Sequence, residues 1–468
     1  MTLSRTLQSR AGGLVDLFGR NRLGRQAIWI TAPLVIQMPI RLASSITLTH
    51  LLAPEMFGVM TLVVTLRTGT ELLSDVGIGQ SIVRSPRGEE KRFLDTAFTV
   101  QLLRGLLLAV GMLVAAGPIG RLYGKPELTP VLLTTSILFV LTGLQSPGLF
   151  MAQRRMWLRA RAIYDVGCTL FQFVFVITLA LVMPSVWALA WGLVGSTLFA
   201  TAMTYAFGRK YWPSLAWDRS SAREILHFGK WIFLSTMIYF AATSTDNIYF
   251  VGALPLAVMG VYSIARTIAD LFDQLGQRAG SMLLFPKMAA LGEERREAAG
   301  RLRSRRRSVL AVVALGVAAA MAGTDKLILL VYDERYHFAA FMLPLMLAGV
   351  WFRVLGSFAD AMLMGCSRPG PGAFANGAKF LILIVGLPLA VGHVNLFAAL
   401  LVLIVAEVAR WAVLAPVLQQ ERLATVTDDI ALTALAVVGV VVFKLIAGTV
   451  GVALTFSEWW ALGQGLHG

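Results

Sequence analysis

Apolar runs long enough to cross a bilayer follow one another along almost the whole chain, and this constrains its fold more than any other feature. They fall at about 26–50, 57–83, 96–120, 129–151, 162–183, 185–207, 228–252, 257–286, 308–331, 339–366, 373–392, 396–417 and 429–452. A helix needs about 20 apolar residues to span the hydrocarbon core. A membrane barrel would instead show roughly ten-residue alternating segments, and none occur here. Only 14% of residues are charged, against about 25% in soluble domains. The expected fold class is all-α: a polytopic membrane protein with 12–14 spans.

Basic residues alternate between the two sets of loops. Those at 5–25, 84–92, 154–161, 209–223, 287–307, 368 and 422 carry 27 Lys and Arg, and the opposite loops carry only Arg121, Lys125, Lys326 and Arg335. The positive-inside rule makes the first side cytoplasmic, with the N-terminus on it. The net charge of +15 therefore follows topology, and no nucleic acid is expected as a partner. The basic run Glu293–Arg307 reads as a solvated loop attracted to anionic headgroups. Residues 1–25 are basic, broken by glycines and lack an apolar core, so the first span is expected to act as an uncleaved anchor. Loops on the outer side, such as Leu51–Met56 and Met183–Ser185, are little more than turns. They leave no room for an extramembrane domain.

One charged element occurs twice. Arg67-Thr68-Gly69-Thr70-Glu71-Leu72 and Arg266-Thr267-Ile268-Ala269-Asp270-Leu271 align at a constant offset of 199, which also brings Gly77 onto Gly276 and Met60 onto Met259. The second span is thus paired with the eighth. The organisation expected from this is a basic N-terminus (1–25), an N-lobe of six spans (26–207), a linker (208–227), a C-lobe of six spans (228–417) and an extension with one further span (418–468). Six spans per half give two pseudo-symmetric lobes of equal orientation. Repeats related by an axis along the membrane normal suit rocking around a site at their interface. Pro147 and Gly148 are expected to bend the fourth span.

Ten cations lie within spans: Arg41, Arg67, Arg104, Lys230, Arg266, Arg278, Arg353, Lys379, Arg410 and Lys444. A central Arg or Lys costs about 2.5–3.5 kcal/mol on the lenient insertion scale. Lys230 and Arg278 can snorkel. Arg41, Arg67, Arg266 and Arg353 sit roughly 13–24 Å from the nearer loop and need a wet cavity or a partner. Glu71 and Asp270 each follow an arginine by four residues and share its helix face. Glu407 and Arg410 are spaced i, i+3, and Asp360 lies two turns beyond Arg353. Two readings stand together. These are structural ion pairs, or Arg41, Arg67, Arg266 and Arg353 line a cationic cavity for an anion, since arginine matches phosphate bidentately. Glu71, Asp75, Asp246, Asp270 and Asp273 are the candidate pairing or ion-coupling carboxylates. Asp246, in the polar stretch Ser244-Thr245-Asp246-Asn247, is either an ion or sugar contact or the interfacial end of its span.

Enzyme chemistry finds little support. The five histidines are scattered, Cys168 and Cys366 lie far apart in apolar surroundings, and neither HExxH nor a GxxxxGK[ST] phosphate loop occurs. No catalytic residue, metal or cofactor is expected. The expected drive is an ion gradient of protons or sodium, the substrate gradient or coupled assembly.

Several motifs carry a family resemblance. Leu51-Leu52-Ala53-Pro54-Glu55-Met56-Phe57-Gly58 resembles L-L-x-P-x-x-F-G, and Leu72-Leu73-Ser74-Asp75-Val76-Gly77-Ile78-Gly79 resembles L-x-D-x-G-x-G. Leu122–Leu128, Trp187-Ala188-Leu189 and Thr245-Asp246-Asn247 fit as well. Over residues 20–420 the chain resembles the Wzx-type polysaccharide and O-antigen flippases of the multidrug/oligosaccharidyl-lipid/polysaccharide exporter superfamily. The resemblance implies two six-helix lobes around a cationic cavity. It also implies translocation of an undecaprenyl-pyrophosphate-linked oligosaccharide across a bacterial inner membrane. Implied partners are that lipid-linked oligosaccharide, membrane lipids, and a polysaccharide polymerase with other assembly proteins. The alternatives are a drug antiporter or a lipid II flippase of the same superfamily, and less readily a polysaccharide polymerase or ligase. The thirteenth span departs from a plain twelve-helix member.

Overall fold

The computed structural model describes residues 22–207, 211–283, 295–366, 368, 370–393, 395–449 and 453–464. Arg5, Arg10 and Arg20 of the basic N-terminus, Arg209 and Lys210 of the linker, and Lys287 of the most basic loop lie outside them. All regular structure among the described residues is helical. In chain order the helices are α1 (Arg22–Leu51), α2 (Pro54–Leu72), α3 (Ile78–Arg84), α4 (Lys91–Leu122), α5 (Leu128–Thr135), α6 (Ile137–Gly143), α7 (Gly148–Arg154), α8 (Leu158–Val182) and α9 (Val186–Phe207). Then come α10 (Arg219–Ala253), α11 (Leu256–Leu283), α12 (Arg295–Val331), α13 (Ala339–Gly365), α14 (Gly370–His393), α15 (Leu396–Gln420), α16 (Val426–Thr449) and α17 (Phe456–Gln464).

Eight of these helices are long and apolar enough to cross a membrane by length and composition, or nine if the bent pair Leu128–Gly143 and Gly148–Arg154 is one span. That pair bends by 54°, at the Pro147–Gly148 step where the sequence predicts it. The chain is a multi-pass α-helical membrane protein. Helices α2 and α11 are not among the eight; Glu55, Arg67 and Glu71 lie in one, and Arg266, Asp270, Asp273 and Arg278 in the other.

The second predicted span is not one long helix. It ends at Leu72 and resumes at Ile78. Between them Asp75 Oδ1 accepts from the Gly77 N–H at 2.9 Å, and Gly77 takes φ 63°, which glycine adopts without strain. Gly276, its counterpart in the repeat, instead stays inside α11 and packs on Val354. The two copies diverge where one chain turns and the other continues.

The chain divides into two compact units, Met1–Leu51 with Ser74–Phe233, and Leu52–Leu73 with Leu234–Gly468. In the first, α1 packs on α8, α8 on α9, and α4 on α5 and α6. Ile78, Ile82, Phe93, Met151 and Ile225 are fully buried where α3, α4, α7 and the start of α10 meet. Asp218 caps α10: its carboxylate accepts from the Ser221 N–H at 2.9 Å and from the Ser220 and Ser221 hydroxyls, each at 2.6 Å. Those serine hydroxyls hold the carboxyl well below the usual carboxylate range.

In the second unit α13 is the most buried of the spans, packed on α11, α12 and α15. Helix α2 lies against α11, so the two repeated elements touch. Their crossing leaves no room for a side chain: a Cβ at Gly260 would meet the Pro54 carbonyl oxygen at 1.8 Å, and one at Gly58 the Leu256 oxygen at 2.3 Å. Small residues let membrane helices approach this closely. Gly260→Ala is expected to lower stability by about 1–3 kcal/mol. An unchanged melting temperature in detergent would show that the crossing can open freely.

The helix expected from sequence as the thirteenth span, α16, belongs to this unit. Helix α16 lies along α12 and is held by Arg303–Asp428 (2.5 Å), Arg306–Asp429 (2.6 Å) and Lys444–Asp325 (3.1 Å). Beyond it α17 does not span. It rests on α13 through Trp459 stacked on Phe341, ring centres 4.9 Å apart.

Candidate functional site

Nine charged residues of the second unit line one cavity of about 610 Å³. Five helices supply them, each through its own periodicity. Tyr262, Arg266, Asp270, Asp273 and Gln277 recur every three or four residues along α11, a polar stripe on an otherwise apolar helix. Arg353, Ser357 and Asp360 do the same on α13. Helix α10 adds Asp246, α14 adds Lys379, and α15 adds Glu407 and Arg410.

A continuous chain of ion pairs crosses this cavity. Arg266 is bonded to Asp246, and it also donates to the Thr243 carbonyl at 2.7 Å and to Asn247 Oδ1 at 3.2 Å. The Tyr262 hydroxyl donates to the same Asp246 carboxylate at 2.6 Å. Asn247 in turn donates to Thr65 of α2 at 3.3 Å. Asp270 lies between two arginines, 3.7 Å from Arg266 Nε and 3.1 Å from Arg353 Nη1. Arg353 continues to Asp273 at 3.5 Å and to Glu407 at 2.9 Å, and Glu407 accepts from Lys379 at 2.6 Å. Arg410 is paired with Asp360.

These pairs decide the charge of the cavity. Four cations face five carboxylates among its described lining residues, so the lining is charge-balanced with a slight acidic excess, where the sequence predicts a cationic one. Each of the four cations already has a carboxylate. An anion that engages Arg266 or Arg353 here therefore competes with an internal carboxylate. Three buried atoms in the cavity, Asp273 Oδ1, Glu407 Oε2 and Arg410 Nε, have no hydrogen-bond partner among the described residues. Leaving such groups unsatisfied costs about 1–3 kcal/mol each, which marks them as positions where a bound group would gain contacts.

Of the candidates named from sequence, Arg266, Arg353, Asp246, Asp270 and Asp273 come together here. Asp246 is buried and belongs to the network, not to a helix end. Arg67 and Glu71 form the predicted i, i+4 pair at 3.1 Å on α2, apart from the cavity-lining residues. Arg41 is exposed on α1 in the first unit. Asp75 also belongs to the first unit, where it holds its turn 3.8 Å from Arg104. The predicted Glu407–Arg410 pair is replaced: Glu407 faces Arg353 and Lys379, and Arg410 faces Asp360. Lys379, Glu407, Arg410 and Asp360 were not recognised as site residues. The usable signal was their presence in apolar spans, where an ionisable residue marks a functional site by default.

The fold is that of the flippase and multidrug exporter transporters. It is similar to lipid II flippase MurJ in an inward closed conformation (TM-score 0.72, 12% identity, covering 94% of this chain and 95% of that one). It is also similar to the eukaryotic MATE transporter AtDTX14 (TM-score 0.61, 14% identity, 90% and 98% covered). Residues 47–341 match the family described as polysaccharide biosynthesis protein, and the chain belongs to that family. Among its relatives is the lipopolysaccharide biosynthesis protein WzxC of Escherichia coli (strain K12), 22% identical over 347 residues, which are 73% of this chain and 70% of WzxC. Another is the succinoglycan biosynthesis transport protein ExoT of Rhizobium meliloti (strain 1021), 25% identical over 248 residues, 53% of this chain and 50% of ExoT.

Proposed function

We propose that the chain is a flippase of surface-polysaccharide biosynthesis, moving an undecaprenyl-pyrophosphate-linked oligosaccharide between the leaflets of a bacterial inner membrane. The observation that carries this is the paired arginine network of the second-unit cavity, in a member of a polysaccharide biosynthesis family. The working units are the lobes 26–207 and 228–417, with the N-terminus cytoplasmic. They alternate access by rocking. The pyrophosphate displaces Asp246, Asp270 and Glu407 from Arg266 and Arg353, with Arg67 completing its path. Guanidinium donors suit this exchange because carboxylate and phosphate fit the same bidentate fork. The displaced carboxylates then take up protons or sodium ions, which couples transport to a gradient. The sugars occupy the cavity, and the polyprenyl tail stays in lipid. A polymerase and other assembly proteins receive the product.

Arg266→Ala, Arg353→Ala and Arg67→Ala are each expected to abolish surface polysaccharide at normal protein level. Full surface polysaccharide in all three variants would end the arginine mechanism. A deletion that stopped cell-wall synthesis and left surface polysaccharide intact would reassign the substrate to lipid II.

A further inference from the structure

A second cavity, of about 1110 Å³ and open on one side, lies in the first unit. It is independent of the ion-pair network. The end of α3 provides Ser81 and Arg84, and the first turns of α10 provide Arg219, Ser220 and Arg223. Both are on the side whose loops concentrate Lys and Arg.

Its walls are held firmly. Arg154 donates to the carbonyls of Ile82, Val83 and Ser85 at 2.7, 3.0 and 2.6 Å, closing the C-terminal end of α3. Arg87, just beyond, reaches the start of α10. It donates to the Ser220 hydroxyl at 3.0 Å and to Asp218 at 3.4 Å. The pocket's walls are thus braced by Arg154 and Arg87, while Arg219 and Arg223 stay exposed.

Charge separates this pocket from the other cavity. Three arginines face one carboxylate, Glu224, among the described lining residues, and Glu224 is itself 4.0 Å from Arg87. Arg219 and Arg223 are exposed, and no ion pair involves either among the described residues. A second observation points to a ligand. Ser81 is only 5% exposed, lines the pocket, and its hydroxyl has no hydrogen-bond partner among the described residues. Burying an unsatisfied hydroxyl is costly. An acceptor-rich anion in the pocket would satisfy it.

We infer that this pocket binds a phosphate group, with Arg219 and Arg223 supplying the charge and Ser81 a hydroxyl donor. Phosphate matches the guanidinium fork and offers oxygens enough for the serine as well. Its source is either the headgroup of an anionic phospholipid or a diphosphate carried by another molecule, and the test separates the two. The purified full-length chain is incubated with short-chain phosphatidylglycerol or with inorganic pyrophosphate. Native mass spectrometry counts what each chain retains.

Wild-type protein is expected to hold one more copy of one probe than Arg219→Gln/Arg223→Gln does. The half-saturating concentration should rise about tenfold or more in the variant, as expected for losing charge-assisted hydrogen bonds. Retention of phosphatidylglycerol assigns the lipid headgroup, and retention of pyrophosphate assigns the diphosphate. Ser81→Ala, a smaller change inside the fold, should weaken the same probe severalfold. Arg266→Gln should leave this copy in place, which keeps the result separate from the flippase mechanism. Equal counts of both probes in wild type, Arg219→Gln/Arg223→Gln and Ser81→Ala would overturn the assignment.

Discussion

Asp429→Ala is expected to destabilise the protein by about 3–5 kcal/mol, the cost of leaving a buried charge without its partner. Arg306 and Asp429 are each 2% exposed. They are joined by two bonds of 2.6 and 3.2 Å, and Trp411 donates to the same carboxylate at 3.0 Å. With the carboxylate gone, the guanidinium of α12 faces the packed surface of α16 with nothing to neutralise it. The neighbouring Arg303–Asp428 pair gives the contrast. Arg303 is exposed while Asp428 is 7% exposed and sits in the first turn of α16, so Arg303→Ala should cost about 1–2 kcal/mol, between an exposed pair and a fully buried one. Replacing both buried partners, as in Arg306→Leu/Asp429→Leu, should restore most of what Asp429→Ala loses. Thermal unfolding of the purified variants measures all three. Equal melting temperatures for Asp429→Ala and Arg303→Ala would show that burial does not set the worth of these pairs, and that α16 is not held as described.

Glu407→Ala is expected to have an effect of similar size, about 3–5 kcal/mol, together with loss of transport. Glu407 accepts from both Arg353 and Lys379. Arg353 keeps Asp270 and Asp273 after the substitution. Lys379, itself buried, loses the carboxylate that its ammonium faces. The consequence separates structure from function. Glu407→Ala/Lys379→Met removes the stranded cation and should recover much of the stability, by the logic of the double-mutant cycle. It should not recover transport, because Glu407 is one of the carboxylates proposed to exchange with phosphate at Arg353 and then to take up the coupling ion. Recovery of both would reduce the network to a structural brace. Recovery of neither would place the damage outside the Lys379–Glu407 contact.

Helix class and the positions of the long apolar helices were legible because both rest on local quantities. Apolar length is read directly along the chain, and so is the proline–glycine step that bends the fourth span. The break after Leu72 was not legible, since Asp75 and Gly77 lie in the same apolar run and their turn shows only in backbone angles. The Arg67–Glu71 pair was legible for another reason: four residues of α-helix return a side chain to the same face.

The sequence by itself determined that this is an α-helical membrane protein, that it carries charges where charges are costly, and that one charged element occurs twice. The tertiary structure alone decided which charges meet. Asp246 reaches Arg266 from twenty residues upstream, Glu407 reaches Arg353 from fifty-four residues downstream, and Asp360 pairs with Arg410. Helical periodicity fixes neighbours only within one turn or two. The register of one helix against another is set by contacts such as the Gly58–Gly260 crossing, which involve residues far apart in the chain. A cation in an apolar span signals that a partner must exist, but packing selects which of several carboxylates it is. Here that selection turned a set of arginines into a charge-balanced network.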